Sequence, residues 1–385
     1  MDFDLTPEQD QLRDAVRALG RRYGHKYFVQ KAKSGGKTTE LWAEAGKLGY
    51  LGVSVPTEYG GGGGGITELA IVCEELAAAG CPLLLLVVSP AIAGTILARH
   101  GTDEQRKRLL PGVASGEHKV VFAITEPEAG SNFHRLGTVA QRDPGGGWVL
   151  NGRKCFISGV DEADYILVVA RTDLGGKLRP ALFVVPTGVA GLSTSALELE
   201  IVSPEKQFLL YLDGVRVADD ALIGADPEAG LPALFAGLNP ERITVAAMGA
   251  GTARYALERA CEYTGTRNVW GRPIGAHQGV AHPLAHAAIQ LELARLMIAK
   301  AAALYDAGRD LEAGIAANLA KYASSEAASL AVDTAIQVHG GNGMTTEYGV
   351  ATLLGGVRAG RIAPVSREMI LNFVAQHVLG QEKSY

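Results

Sequence analysis

The chain is poor in the features that would mark it as stapled, metal-clustered or membrane-bound. Its four cysteines, Cys73, Cys81, Cys155 and Cys261, have neither metal-ligand nor redox-pair spacing, so they read as reduced, mostly buried thiols. Long apolar runs are missing too. The most apolar stretch, Pro82 to Ile92, is too short to span a bilayer. The N-terminus carries acidic residues where a secretory leader would have a basic region and an apolar one, so a cytoplasmic protein is expected. Net charge is only -5, which offers no basic surface for nucleic acid or an anionic membrane. Histidines fall short of a metal site: His282 and His286 lie one helical turn apart, but no H-E-x-x-H glutamate and no third ligand accompany them. No metal is expected.

What is present is length and a change of texture. With 385 residues and 47% hydrophobic content, the chain has enough material for two or three domains with their own cores. Thr6-Pro-Glu-Gln9 is a capping box with proline at the first helical position, and Leu12, Val16 and Leu19 follow at helical spacing. Further helices are expected at 40–48, 67–79 and 83–100, and after the cap at Thr102. The run Gly60 to Gly65 contains G-x-G-x-x-G only because any six glycines do, and it reads as a mobile loop. From 120 to about 217 short strands alternate with turn residues: 137–141, 148–157, 165–171, 178–184, 192–197 and 208–217. Helical spacing returns from about 231, with segments at 240–263, 278–305, 310–338 and 366–378. The fold class is therefore α+β, divided as 1–119, 120–228 and 229–385.

Two stretches carry candidate chemistry. Phe122 to Asn132 reads F-A-I-T-E-P-E-A-G-S-N, a short apolar strand running into a turn rich in hydroxyls and small residues, suited to an anion or a polar heterocycle. Asn151 to Gly159 reads N-G-R-K-C-F-I-S-G, in which Phe156 and Ser158 are two residues apart and so share one strand face. An aromatic ring and a hydroxyl on one face suit a flat ring system. Either piece alone is equally a turn beside a core strand.

Together, T-E-P-E-A-G-S and N-G-x-K-x-F-I-S resemble the flavin-binding middle domain of the acyl-CoA dehydrogenase family, and further similarity runs to the C-terminus. The resemblance implies an N-terminal helical domain, a middle β-barrel-like domain and a C-terminal four-helix bundle. It also implies FAD. Phe122, Ile124, Thr125, Phe156 and Ser158 would line the isoalloxazine ring, with Ser158 at its N5 edge, and Ser131 would meet the pyrophosphate. Arg267-Asn-Val-Trp-Gly-Arg-Pro-Ile274 with Gln278 resembles R-x-x-F-G-x-x-I…Q, with Trp270 at the aromatic position. That segment would reach the FAD of a neighbouring subunit. Gln337-Val-His-Gly-Gly341 resembles the Q-x-x-G-G segment, so Gln337, Gly340 and Gly341 would close over the adenosine half. A shared FAD implies an oligomer, commonly a homotetramer or dimer of dimers.

Oxidising an acyl thioester between its α and β carbons needs a carboxylate base whose pKa burial has raised. Many family members place it in a C-terminal Y-E-G-T segment. Here the counterpart is Arg361-Ile-Ala-Pro-Val-Ser-Arg-Glu-Met369, which puts Pro364, or Ala363 after a one-residue slip, at the glutamate position. The isovaleryl and long-chain branches carry a Glu-Arg pair at the start of a long helix, and Glu241-Arg242 supplies it. Glu241 is the candidate base. Its competing reading is a helix start, with Asn239 as cap, Pro240 as first residue and the acid favoured by the helix dipole. Ser131, Arg242 and Ala363 are the substrate contacts the resemblance implies.

Two departures stand out. Proline has no N–H to join the oxyanion hole usual at that C-terminal position. Leu353-Leu-Gly-Gly-Val-Arg358 replaces L-x-R-D-(A/S)-(K/R), so Gly355 and Gly356 stand for an Arg-Asp pair. The expected function is dehydrogenation of an acyl-CoA or carrier-protein thioester, with an electron-transferring flavoprotein as acceptor and a weak preference for branched or bulky acyl groups. The alternatives are a non-catalytic partner subunit and an oxygen-using oxidase.

Overall fold

The computed structural model describes residues 4–384. Its first third is helical: α1 (Pro7–Ser34), α2 (Thr39–Lys47), α3 (Ile66–Ala78), α4 (Thr95–His100) and α5 (Asp103–Ser115). The Thr6 hydroxyl accepts from the Gln9 N–H at 3.2 Å and the Gln9 amide oxygen accepts from the Thr6 N–H at 3.1 Å, and Thr102 with Gln105 repeats the device at α5. The helix expected over 83–100 is not one α-helix. Val87–Gly94 winds as wide π turns around Pro90 before α4 begins, because proline has no N–H for the regular ladder.

The glycine run is a packed ribbon rather than a mobile loop. Gly62, Gly63 and Gly64 donate to the carbonyls of Gly52, Val55 and Val53. A Cβ on Gly61 would sit 2.0 Å from the Val55 carbonyl oxygen, so only glycine permits this backbone contact.

The middle third is a curled seven-stranded sheet: β1 (Val120–Ala123), β2 (Val139–Arg142), β3 (Trp148–Ser158), β4 (Tyr165–Leu174), β5 (Lys177–Pro186), β6 (Leu192–Leu197) and β7 (Gln207–Val217). β4 is its hub. One edge pairs in parallel with β1 and, at Arg171, with β2, while the other pairs antiparallel with β5. From β2 the sheet continues antiparallel through β3, β7 and β6. Pairing of β1 with β4 buries β1 on all four residues, which fixes the turn at its C-terminal end.

The last third holds α6 (Gly230–Thr266), a hairpin of β8 (Asn268–Val269) and β9 (Arg272–Pro273), α7 (Gln278–Asp306), α8 (Asp310–His339), α9 (Leu354–Ile362) and α10 (Arg367–His377). Contacts of Asn239 with Asp310 and of Ser324 with Ala246 show α6 and α8 running in the same direction, with α7 returning between them. Buried Ala246, Ala250, Ala317, Ala320 and Ala328 let the helices approach closely. Helix α3 seats on α6, where Arg254 binds both Glu74 and Glu75, Arg295 binds Glu74 and Arg17 binds Glu75.

Helix α6 does not begin at Pro240. It starts ten residues earlier, and Pro240 lies buried inside it. Proline leaves the Ala236 carbonyl without its helical donor, and the Tyr305 hydroxyl of α7 donates to that oxygen at 3.1 Å. The proline is tolerated because a distant side chain makes the missing bond. Glu241 is thus a mid-helix residue, and the helix-start reading of it falls.

Candidate active site

The two strand-turn motifs meet. The Cys155 N–H donates to the Thr125 carbonyl at 2.9 Å, so the end of β1 lies directly against β3. Below this contact Lys154, fully buried, donates to the Glu126 carboxylate at 2.8 Å and to the Ile124 carbonyl at 3.0 Å. Glu126 also accepts from the N–H groups of Gly137 at 2.5 Å and Thr138 at 3.0 Å. The acid and the lysine of the two motifs are therefore the clamp that joins them. Burial raises the Glu126 carboxyl, but Lys154 and the amides outweigh it and hold it below the usual range. Burial lowers Lys154 to about 8 against the pull of Glu126.

Phe122 is buried, Ile124, Thr125 and Ser158 are half-buried, and Ser131 is exposed. Phe156 is 59% exposed and adopts φ +56°, an uncommon conformation for a bulky residue. The pairing of β3 with β7 shifts register between Lys154 and Ile157, and this bulge turns the phenyl ring outward. Ser158 is positioned by Gln207, whose amide donates to its hydroxyl at 2.9 Å. A strained aromatic displayed beside a held hydroxyl, next to turn amides, fits a planar cofactor with polar edges.

Phe133, two residues past Ser131, meets Phe235 of α6 edge-on at 6.2 Å, bringing this turn against the helix that carries Glu241. The Glu241 carboxyl is half-buried and makes no hydrogen bond or ion pair among the described residues. Burial raises it to about 7, opposed by the charges of Arg242 and Lys321. Arg242 donates to Asn239 at 3.2 Å, and its Nε is buried without a partner.

Opposite Glu241, Lys321 of α8 donates to the Val365 carbonyl at 2.5 Å, holding the loop between α9 and α10. Ala363 and Pro364, joined by a cis peptide, lie in that loop. The Ala363 N–H donates to the Ala359 carbonyl at 2.9 Å to close α9, and Pro364 has no N–H, so neither presents a free donor. Gly355 has a packing reason: a Cβ there would lie 2.9 Å from the Glu200 carbonyl oxygen.

The remaining site residues collect elsewhere. Arg267, Trp270, Gln278, Gln337, Gly340 and Gly341 are all exposed, Trp270 by 87%. Tyr263 at the end of α6 stacks on His339 at the end of α8 at 4.3 Å, and Asn342 donates to the Tyr263 hydroxyl at 3.0 Å, which draws the two segments together. This cluster is roughly 33 Å from Glu241 along α6, at about 1.5 Å per residue.

Sequence reasoning did not single out Lys154, Glu126, Gln207 or Lys321. The first two stand inside the quoted motifs. Lys321 is flanked by Ala317, Ala320, Ser324 and Ala328, and a helix face of small residues packs closely enough to bury the charge it carries.

The acyl-CoA dehydrogenase N-terminal, middle and C-terminal domain families match residues 6–117, 121–202 and 228–379. The chain therefore belongs to the acyl-CoA dehydrogenase family, whose members are FAD-dependent oxidoreductases. It is 58% identical to an acyl-CoA dehydrogenase, FadE12, of Mycobacterium tuberculosis over 100% of this chain and 99% of that protein. Its fold is similar to a glutaryl-CoA dehydrogenase in complex with glutaryl-CoA, with TM-score 0.93 at 31% identity, covering 100% of this chain and 98% of that one. A Mycobacterium smegmatis glutaryl-CoA dehydrogenase in complex with FADH2 gives TM-score 0.89 at 26% identity, covering 99% and 96% of the two chains. Among the described residues no helix is long and apolar enough to cross a membrane.

Proposed function

We propose that this chain converts an acyl-CoA, or the same thioester on a carrier protein, to its trans-2-enoyl product, with Glu241 as the base. The observation that carries this reading is a carboxyl raised to about 7, half-buried and free of ion pairs, on the helix facing the flavin motifs. Such a group binds an α proton near neutral pH where an ordinary solvated glutamate would not. Arg242 supplies a fixed positive charge beside it, and Ser131 a hydroxyl at the exposed mouth for the carrier group. Pro364 cannot donate a hydrogen bond and Ala363 is engaged, so the thioester carbonyl takes its protein donor from the next residues of the loop, Val365 or Ser366. Phe122, Ile124, Thr125, Phe156 and Ser158 hold the isoalloxazine ring. When bound, FAD supplies the two-electron acceptor for the hydride leaving the β carbon, and an electron-transferring flavoprotein is the expected onward acceptor.

The separation of Arg267, Trp270, Gln278, Gln337, Gly340 and Gly341 from the flavin motifs supports sharing of each FAD between two chains. Exposed Ile289, Leu293 and Leu296 on α7 suit burial between copies, in keeping with a homotetramer or dimer of dimers.

The test is anaerobic titration of purified protein with butyryl-, isovaleryl- and palmitoyl-CoA, following flavin absorbance, for the natural chain and Glu241→Gln. Bleaching is expected in the natural chain, falling away as pH drops through about 7 because the base must be ionised. The variant should bind FAD and thioester yet lose bleaching by at least 10²-fold, the scale of general-base catalysis. Bleaching that survives Glu241→Gln returns the search to the loop at Ala363. A flavin that no thioester reduces favours the non-catalytic partner subunit, the reading motivated by Ala363-Pro364 and Gly355-Gly356. Rapid reoxidation by air would mark an oxidase.

A further inference from the structure

Lys321 is a buried charge to which the proposed mechanism gives no task. Its side chain is wholly enclosed in the middle of α8, and among the described residues the ammonium's only hydrogen bond is to the Val365 carbonyl at 2.5 Å. Enclosing an ammonium is costly unless an opposite charge compensates it. Among the described residues no carboxylate is within ion-pair reach, so Lys321 is set by the charges packed around it: Glu241 and Arg242 on α6, Glu326 on α8 and Glu368 on α10. Arg242 is of the same sign. Glu326 is already bonded by Arg361 of α9 and approached at 3.5 Å by Arg367 of α10. Glu368 is exposed to solvent, which screens it. Glu241 is the one neighbouring carboxylate that is partly buried and unengaged.

Resting on the dehydrogenase reading above, we infer that Lys321 is a positioning residue for the base. Its ammonium fixes the Val365 carbonyl, and with it the loop from Ala363 to Ser366, against α8. The same charge favours the ionised form of Glu241, so that the carboxylate is ready before substrate arrives. Burial of Glu241 raises its basicity and Lys321 limits that rise, which keeps the base both strong and ionised at neutral pH. In relatives whose base stands in the C-terminal segment, the loop itself would carry the carboxylate. Here one lysine ties the loop to a base that comes from α6.

The experiment compares Lys321→Met, Lys321→Gln and Lys321→Arg holoenzymes by the pH dependence of flavin bleaching, using whichever acyl-CoA reduces the natural chain. Met and Gln remove the charge, so the acid limb should move up by about one pH unit, costing about tenfold in rate below the midpoint. Gln keeps a donor for Val365, so only Met should also raise the KM for the thioester. Arg keeps the charge and should leave the limb where it is. A limb unmoved in both neutral variants, with stability or FAD content changed instead, reduces Lys321 to a structural residue and overturns the inference. If the neutral variants do not fold, Arg carries the test, and an upward shift in it overturns the charge account. Failure of the underlying reading looks different, because then either no thioester bleaches even the natural chain or bleaching survives Glu241→Gln.

Discussion

Lys154 and Lys321 are both fully buried, and burial lowers both to about 8, yet their surroundings differ. Lys154 has a carboxylate at 2.8 Å that is itself satisfied by two backbone amides. Lys321 has a carbonyl and, among the described residues, no carboxylate in reach. The first is a closed network in the sheet, where each charge is answered and the geometry of the turn proposed to face the flavin is set. The second has its charge answered only at longer range, by Glu241 and the other carboxylates packed around it. A buried charge that is answered locally builds architecture, and one that is not polarises its neighbourhood, which is what a base needs.

The largest expected effect breaks the closed network. Lys154→Met leaves Glu126 buried with only amide partners, and removing one member of a buried pair costs on the order of 3–5 kcal/mol. Urea unfolding should show that loss, together with loss of bound flavin, because the turn at Thr125 is no longer tied to β3. Lys321→Met strands no paired carboxylate and should cost clearly less in the same measurement. Equal losses would erase the distinction between the two lysines.

A smaller effect sharpens the comparison from the other side. Phe156 holds φ +56° in the bulge just past Lys154, a conformation that costs about 1–3 kcal/mol for a residue with a side chain. Phe156→Gly should relieve that strain and raise the stability of the apoprotein by about 1 kcal/mol, while FAD affinity falls. Calorimetry of the apoprotein and flavin titration separate the two. A destabilised apoprotein would mean that the ring packs against the chain and is not displayed for a ligand.

Much of this was legible in the sequence, and the exceptions share a cause. The capping boxes at Thr6 and Thr102 and the strand 192–197 follow from local pattern, and the structure has them where the pattern puts them. FAD and the family follow from motifs that keep their spacing. The misreadings were long-range. Asn239-Pro240-Glu241 has the local grammar of a helix start, and only a hydroxyl from another helix makes it a helix interior. The glycine run has the composition of a flexible linker, but the backbone of residues 52–55 lies against it. Lys321 looks like any lysine until α6 and α9 are packed on α8, although the alanines and serines around it were a signal of enclosure.

The smallest expected effect concerns that hydroxyl. Tyr305→Phe removes the donor to Ala236 and leaves a partly enclosed carbonyl unpaired at the turn where Pro240 interrupts the ladder. A single hydrogen bond of this kind contributes about 0.5–1.5 kcal/mol, so a modest stability loss is expected in urea. The consequence for function is more telling than the size. Glu241 follows Pro240 directly, so a slackened turn should lower the bleaching rate several-fold without moving the pH midpoint, because no charge has changed. A shifted midpoint in Tyr305→Phe would show that the orientation of α6, more than the charge of Lys321, sets the basicity of Glu241.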